Sequence, residues 1–447
     1  MSDTKRYRTI FACIALGIVL ILSLFNSALN VFSLFICCLI VLTWDVEDAL
    51  CVLMFLISFE RVFKLQLGGF ALLNVLEIVF VLRLLHARKF RIPLKAAIPL
   101  FCFGIYSLII SANTGIVDCV SIIVAIFLGL LIMKYNDGNY DICRLVEYTS
   151  AGLVVSSVVA LFNGFFPRLE SVLGSSRIRI GASLYYYRFS GLQANPNYYT
   201  VLVSVVLAVF AVMYLHRRIK AIDVVYVLLL LVFGLMSSSL SFVVSIVVLG
   251  LMFFIASCRK NTTYLFLGFL ALGGVATVVY VLRNTDFVST VLYRLQQYSE
   301  EDALTASSLT TGRTDIWVLY LNYLSSNLRS LILGVGIGAN TYEIVGYEVH
   351  NYFIEVVFYV GVIGSLLYSW TMIRIFSPKQ YISPPRKLVL YFPFAIFFLR
   401  CFARCLFADE LLVFMYLLCT ITVLYFAPCN DGKRKPQQDS TGSQIQS

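Results

Sequence analysis

The residue best suited to acid–base chemistry in this 447-residue chain is His350, in the segment 349–352, which reads V-H-N-Y. A neutral imidazole accepts a proton near neutral pH, which suits a general base. The other two histidines, His86 and His216, lie beside basic residues in polar breaks between apolar runs. A histidine that caps a helix or lies at an interface also fits position 350, and position alone favours that simpler interpretation.

Arginine is the second residue type that could do chemistry, and it is concentrated in two long polar segments, 167–198 and 283–349, which contain no lysine. Its planar guanidinium makes paired, charge-assisted hydrogen bonds to phosphate. The second segment also holds seven acidic residues, so it is not a basic patch overall. We expect most of these arginines to be structural or solvated and one to three to bind an anionic substrate. The eight arginines of the two segments are Arg168, Arg177, Arg179, Arg188, Arg283, Arg294, Arg313 and Arg329.

Three short motifs surround these residues. Segment 188–197, R-F-S-G-L-Q-A-N-P-N, ends in an Asn-Pro-Asn turn that predicts the start of a helix. Segment 311–317, T-G-R-T-D-I-W, contains Arg313 together with Asp315, which could pair with that arginine or with a sugar hydroxyl.

The third motif, segment 333–340, reads L-G-V-G-I-G-A-N. The alternating Gly334, Gly336 and Gly338 could let backbone N–H groups approach an anion. A flexible turn between two amphipathic segments is at least as good an interpretation. The pattern is not a dinucleotide fingerprint, because no βαβ unit surrounds it.

The elements that position these motifs must be transmembrane helices. The chain is 60% hydrophobic and 13% charged, whereas soluble domains are about 25% charged, so a soluble enzyme is excluded. About 20 apolar residues span a bilayer, which predicts an all-α, polytopic helical bundle of 12–14 spans. The apolar runs are roughly 9–26, 28–43, 49–60, 70–85, 96–112, 118–134, 147–166, 199–215, 224–238, 240–257, 264–282, 350–375, 388–407 and 410–427.

Charge predicts the orientation of this bundle, because lysine and arginine accumulate on the cytoplasmic side. With the N-terminus inside, nearly every lysine falls in an inside segment, and both long polar segments fall outside. We therefore expect one transmembrane domain over residues 1–427, extracytoplasmic loops at 167–198 and 283–349, and a disordered cytoplasmic tail at 428–447. The first apolar run is predicted to be a retained helix rather than a signal peptide.

The net charge, the cysteines and the histidines argue against a nucleic-acid partner, a disulfide framework and a zinc site. In a soluble protein the net charge of +10 would suggest nucleic acid; here the basic residues are assigned to the membrane surface, and no nucleic-acid partner is expected. The twelve cysteines lie in apolar runs or beside basic breaks, so we predict no disulfide framework. No spacing of cysteine and histidine resembles a zinc site.

Taken in order and on one side of the membrane, the motifs resemble the O-antigen ligase and O-antigen or capsule polymerase superfamily of bacterial envelope glycosyltransferases. The resemblance rests on the Asn-Pro-Asn segment, the Gly-Arg-x-x-x-Trp segment, the glycine run, the His350–Asn351 pair, Glu355 and the G-V-I-G step at 361–364. It covers roughly residues 185–200 and 310–365. The rest of the chain is similar only in hydropathy and topology.

The resemblance implies inverting transfer of a glycan from undecaprenyl pyrophosphate to an acceptor hydroxyl, without metal or cofactor. It implies that His350 is the catalytic base and that Arg188 and Arg313 bind the pyrophosphate. Asn351, Asp315, Glu355 and the three glycines are supporting candidates, with Glu355 orienting His350 or capping a helix. The lipid bilayer and the lipid-linked glycan are the implied partners, together with chain-length regulators or flippases as candidate protein partners.

Three functions remain open at this point. A polymerase joins lipid-linked repeat units, a ligase moves the finished glycan onto lipid A-core, and a transporter would move lipid-linked oligosaccharide across the membrane. The compact loops modestly favour the polymerase. A transporter is disfavoured because no internal repeat is clear and the distinctive polar residues lie outside the membrane.

One departure from the family is that segment 237–241, S-S-S-L-S, lacks an arginine that many members have near this position.

Overall fold

A computed structural model describes residues 3–59, 61–62, 72–87, 92–162, 165–166, 177–180, 184–187, 189–193, 195–237, 239–258, 312–377, 388–407, 409 and 411–427. Most of them are helical, and the predicted all-α polytopic bundle is confirmed. The helices are α1 (Asp3–Leu22), α2 (Ala28–Thr43), α3 (Val46–Leu56), α4 (Leu72–His86), α5 (Leu94–Ile110), α6 (Ile116–Tyr135), α7 (Ile142–Leu161), α8 (Pro196–Leu215), α9 (Ala221–Met236), α10 (Leu240–Cys258), α11 (Arg313–Ser326), α12 (Leu328–Leu333), α13 (Thr341–Ile344), α14 (Tyr352–Phe376), α15 (Phe392–Cys401) and α16 (Leu411–Phe426), with a 3₁₀ turn at Ile57–Phe59 after α3.

Five helices in the described ranges, α6, α7, α8, α10 and α14, are long and apolar enough to cross a membrane. Five shorter apolar helices accompany them: α2, α5, α9, α15 and α16. Large apolar side chains on several helices point outward; Phe101 is 68% exposed and Leu366 is 67% exposed. Monomeric soluble proteins rarely expose contiguous apolar patches of more than a few hundred Å², so this outer surface fits a lipid environment.

Helix α8 lies at the centre of the bundle. It packs against α7, α9, α10, α15 and α16, and 83% of its most apolar window is buried. Its start follows from its sequence: the Asn195 side chain accepts a hydrogen bond from the N–H of Asn197 at 2.9 Å. Pro196 occupies the first helical position, where no N–H is needed. The Asn-Pro-Asn motif therefore begins a buried helix.

Ion pairs mark one end of the bundle. At one end, Arg144 donates to Asp48 at 2.7 Å and pairs with Glu47 at 3.5 Å. At the same end, His216, which follows α8, stacks on Phe426 at the end of α16. The opposite end holds the first residues of α8, α10, α14 and α16 and the last residues of α15. Because α8 has 20 residues and runs from one end to the other, the two ends are about 30 Å apart.

Residues 312–349 of the predicted second loop are largely helical, forming α11, α12 and α13. In the first loop, Arg177–Ile180 (β1) and Leu184–Tyr187 (β2) pair as an antiparallel hairpin. This hairpin is the β-structure of the described residues and does not alter the fold class. The tail at 428–447 lies outside the described residues.

Candidate active site

His350 lies immediately before α14, at the end of the bundle away from Arg144. Asn351 is the N-cap of that helix, and its side-chain oxygen accepts the N–H groups of Phe353 and Ile354 at 3.0 and 3.2 Å. The backbone N–H of His350 donates to the Sγ of Cys405 at 3.1 Å. His350 has φ +48°, a left-handed conformation that is uncommon without glycine. The surrounding contacts therefore hold the histidine in one specific orientation.

The electrostatic surroundings of the imidazole keep it neutral. The pKa of His350 is lowered from 6.5 to about 4, chiefly by burial and also by the positive charges of Arg404 and Arg313. The carboxylate of Glu348 is its nearest acid, with Oε2 3.8 Å from the imidazole Nδ1. That distance is too long for a hydrogen bond. At neutral pH the imidazole is therefore unprotonated, which is the form in which a general base acts, and its lowered pKa makes it a weaker base than a free histidine.

Arg313 begins α11, directly after Gly312, and its charge acts on the imidazole of His350. Two of the three residues predicted to do chemistry are thus brought together, although 37 positions separate them. Asp315 lies in the first turn of α11, where a carboxylate is favoured by the helix dipole. Arg188 lies outside the described residues, so its place beside His350 stays a prediction.

Glu355 is buried one turn into α14 and binds a neighbouring segment. Its Oε2 accepts the N–H groups of Leu406 and Phe407 at 2.8 and 3.0 Å. We define residues 402–407, which follow α15, as the 402–407 segment. Because Cys405 of this segment also accepts the His350 N–H, Glu355 supports His350 indirectly. A direct hydrogen bond from Glu355 to the imidazole is not among those the structure shows for the described residues.

The sequence-based reasoning missed two arginines, Arg400 and Arg404, which it left inside the apolar run 388–407. Arg400 is 1% exposed. It donates to the Thr200 hydroxyl at 2.6 Å and to the Asn197 carbonyl at 3.2 Å. It also donates to the Ser241 hydroxyl at 2.6 Å. A guanidinium therefore reaches the serine segment 237–241, which has no arginine of its own.

A signal for these residues was present in the sequence. Two arginines interrupt the otherwise apolar run 388–407. Ionisable residues inside a membrane are expected to be functional.

The glycine run 333–340 has its N–H groups occupied within the fold. The N–H groups of Val335 and Gly336 donate to the carbonyls of Phe358 and Tyr359 at 3.0 and 2.9 Å. These carbonyls lie just before Gly361, which has φ +65° and interrupts α14. The N–H of Ile337 donates to the Ser111 hydroxyl at 2.8 Å. These glycines thus dock the segment on the break in α14, which is a structural role rather than a contact with an anion.

An apolar groove of about 560 Å³ begins at Tyr352, two residues after His350. It follows α14 to Ser377 and is closed on its other side by Phe394 and Phe398 of α15 and by Tyr416 of α16. The groove is lined by residues from both halves of α14, before and after its break at Gly361.

No protein-family model matches the chain, and neither a curated protein nor a solved structure matches it. The assignment of a function therefore rests on the residues and their geometry.

Proposed function

We propose that the protein is a membrane glycosyltransferase that polymerises undecaprenyl-pyrophosphate-linked oligosaccharide repeat units into O-antigen or capsular polysaccharide. The observation that carries the proposal is the half-buried His350, whose imidazole interacts electrostatically with Arg313 and Arg404. A base next to fixed cations suits attack of a hydroxyl on a sugar whose leaving group is a pyrophosphate.

In the proposed reaction, the imidazole of His350 takes the proton of an acceptor sugar hydroxyl as its oxygen attacks the anomeric carbon of the donor. The new glycosidic bond forms on the face opposite the leaving group, which inverts the configuration. The bond between the anomeric carbon and the phosphate oxygen breaks, and its electron pair leaves with undecaprenyl pyrophosphate. The proton on the imidazole is then released to water, and the enzyme returns to its starting state.

The arginines would stabilise the charge that builds on the leaving pyrophosphate. Arg313 is assigned to this role by its motif and by its position near His350. Arg188 is assigned to it by its motif alone. The groove along α14 has the chemistry to hold a polyprenyl tail, because it is lined mainly by apolar and aromatic side chains such as Phe353, Met372 and Phe394.

The proposal includes a location: the bacterial plasma membrane, with both termini cytoplasmic and the site extracytoplasmic. It is supported by the sequence, in which nearly every lysine falls in a segment assigned to the inside. Arg144, Arg8 and Lys220 form ion pairs with Asp48 and Glu147 at the end opposite His350. Basic residues accumulate on the cytoplasmic side, which puts the site outside.

An assay with purified protein in lipid vesicles tests the function. Lipid-linked repeat units should be converted into a ladder of longer chains on a gel, without addition of any other acceptor. Glycan transfer that occurs only after lipid A-core is supplied would make the protein a ligase instead. Movement of unchanged repeat units between leaflets, with no longer product, would make it a transporter and would refute the enzymatic assignment.

A further inference from the structure

Arg404 is a buried cation without an ion pair in the part of the chain that the structure describes. The residue is only 5% exposed. Its guanidinium lies over the ring of Tyr198, 4.0 Å from the ring centroid, and its Nε is buried without a hydrogen-bond partner among the described residues. An isolated buried charge is costly unless a partner compensates it. A cation held in this way indicates a site for an anion.

Two carboxylates whose charges act in this region also accept hydrogen bonds from backbone N–H groups. Glu355 and Arg404 interact electrostatically, but the Oε2 of Glu355 accepts the two N–H groups of the 402–407 segment. Asp409 accepts the N–H of Leu411 at 2.9 Å. The next cation is Arg313, which acts on the same imidazole as Arg404. Positive charge therefore accumulates around His350.

The stacking on Tyr198 fixes the plane of the guanidinium. Tyr198 lies in the first turn of α8, within the helix that the Asn-Pro-Asn motif begins. A cation over an aromatic face is attracted by the ring, and the edge of the guanidinium remains able to make paired hydrogen bonds with phosphate oxygens. Lysine could supply the charge but not this planar fork.

We propose that Arg404 binds a phosphate group of the pyrophosphate-linked donor, as a third anion-binding arginine contributed by the segment after α15. The inference rests on the proposed function, because it takes the donor of that reaction as its ligand. It adds to the motif residues Arg188 and Arg313 a contact that lies outside every motif, 54 positions beyond His350.

Binding of inorganic pyrophosphate to the purified, full-length protein in nanodiscs tests this assignment without catalysis. We expect Arg404→Met to weaken pyrophosphate binding about 10- to 100-fold, the loss typical of one charge-assisted contact. Arg404→Lys should recover only part of that loss. Arg329→Met is the matched control, because Arg329 is an exposed arginine in α12 of the same part of the chain, and it should bind as the wild type does.

Two further measurements separate a binding role from a structural one. The melting temperature of each variant in nanodiscs reports whether Arg404→Met folds, and Tyr198→Phe keeps the aromatic face while removing the hydroxyl. In the polymerisation assay, Arg404→Lys should raise KM for the lipid-linked donor by about tenfold with a smaller change in kcat. Arg404→Lys with wild-type pyrophosphate affinity and wild-type donor KM, in an enzyme that makes chains, would overturn the inference and leave the proposed function intact. A wild-type protein that neither makes chains nor binds pyrophosphate would refute both.

Discussion

The backbone N–H of His350 donates a hydrogen bond to the Sγ of Cys405 at 3.1 Å. This contact joins the residue before α14 to the 402–407 segment, and Glu355 makes a second connection between the same two parts through the N–H groups of Leu406 and Phe407. The proposed base is therefore held by a segment of the chain that no sequence motif includes. Changes in that segment should affect His350 without touching it directly.

Removal of the Glu355 carboxylate should destabilise the protein and displace His350. Each buried N–H left without an acceptor costs about 1–3 kcal/mol, so we expect Glu355→Ala to lower the free energy of unfolding by about 2–5 kcal/mol. Glu355→Gln keeps one acceptor oxygen and should lose less. Thermal unfolding in nanodiscs measures both variants. Glu343→Ala removes an exposed carboxylate and serves as the control. Equal melting temperatures for Glu355→Ala and the wild type would contradict this role.

The pH below which activity is lost should lie well below 6.5, the ordinary pKa of a histidine. The charged groups around the imidazole are Glu348, Arg313 and Arg404, and the pKa of His350 is lowered to about 4. A base acts only when neutral, so kcat/KM should stay high as the pH falls through 6.5 and decline only near pH 4–5. Arg404→Met should move this limit to higher pH. An acid limit at pH 6.5 in the wild type, unmoved in Arg404→Met, would refute the electrostatic account.

The lowered pKa of His350 also predicts how the stability of the folded protein depends on pH. The unfolded imidazole titrates near 6.5 and the folded one near 4, so between these values protons bind preferentially to the unfolded chain. The contribution of His350 to stability is therefore fully present above pH 6.5 and is lost as the pH falls toward 4. The loss of melting temperature between pH 7 and pH 4 should be smaller in His350→Gln than in the wild type. Identical losses would show that His350 does not contribute.

Gly334 should not tolerate a side chain. It has φ +85°, and a Cβ there would lie 2.3 Å from the Tyr359 carbonyl oxygen. A left-handed conformation alone costs a residue with a Cβ about 1–2 kcal/mol, and the clash adds to this cost. We expect Gly334→Ala to lower the melting temperature by several degrees. Gly250→Ala is the control, because no atom lies within 4 Å of its Cβ position. Similar melting temperatures for the two variants would contradict the packing described for the glycine run.

Arg313→Lys distinguishes a phosphate contact from bulk charge. Lysine keeps the positive charge but cannot make the planar, paired contact of a guanidinium, so we expect Arg313→Lys to lose most of its chain-forming activity. Arg374→Lys, in the last turn of α14, should retain it and controls for the loss of an arginine from the bundle. Full activity of Arg313→Lys at normal protein levels would leave only a general charge role.

The sequence predicted the elements of the fold better than it predicted the full set of site residues. The Asn-Pro-Asn turn predicts the start of α8 and hydropathy predicts the start of α14 closely, because these depend on local chemistry. The glycine run could not be interpreted from sequence alone, since the free carbonyls that its N–H groups bind arise from the break at Gly361 in another helix. The apolar run 388–407 concealed Arg400 and Arg404, although a charged residue inside an apolar run is itself a usable signal.

The hairpin of β1 and β2 was also missed. Its first strand reads R-I-R-I, an alternation of polar and apolar residues with the period of a strand. That pattern is short and lies in a loop that was interpreted only through its arginines. The local signal was present, but neither strand alone specifies its pairing with the other.

The most direct test of the proposed mechanism is the rate of chain growth from lipid-linked repeat units by wild-type protein and by His350→Gln, in matched amounts in nanodiscs. Loss of a general base typically costs about 10²–10⁴ in rate, so we expect the variant to leave almost all of the donor unextended while it still binds pyrophosphate. A ladder of chains formed by His350→Gln at the wild-type rate would contradict the assignment of His350 as the base.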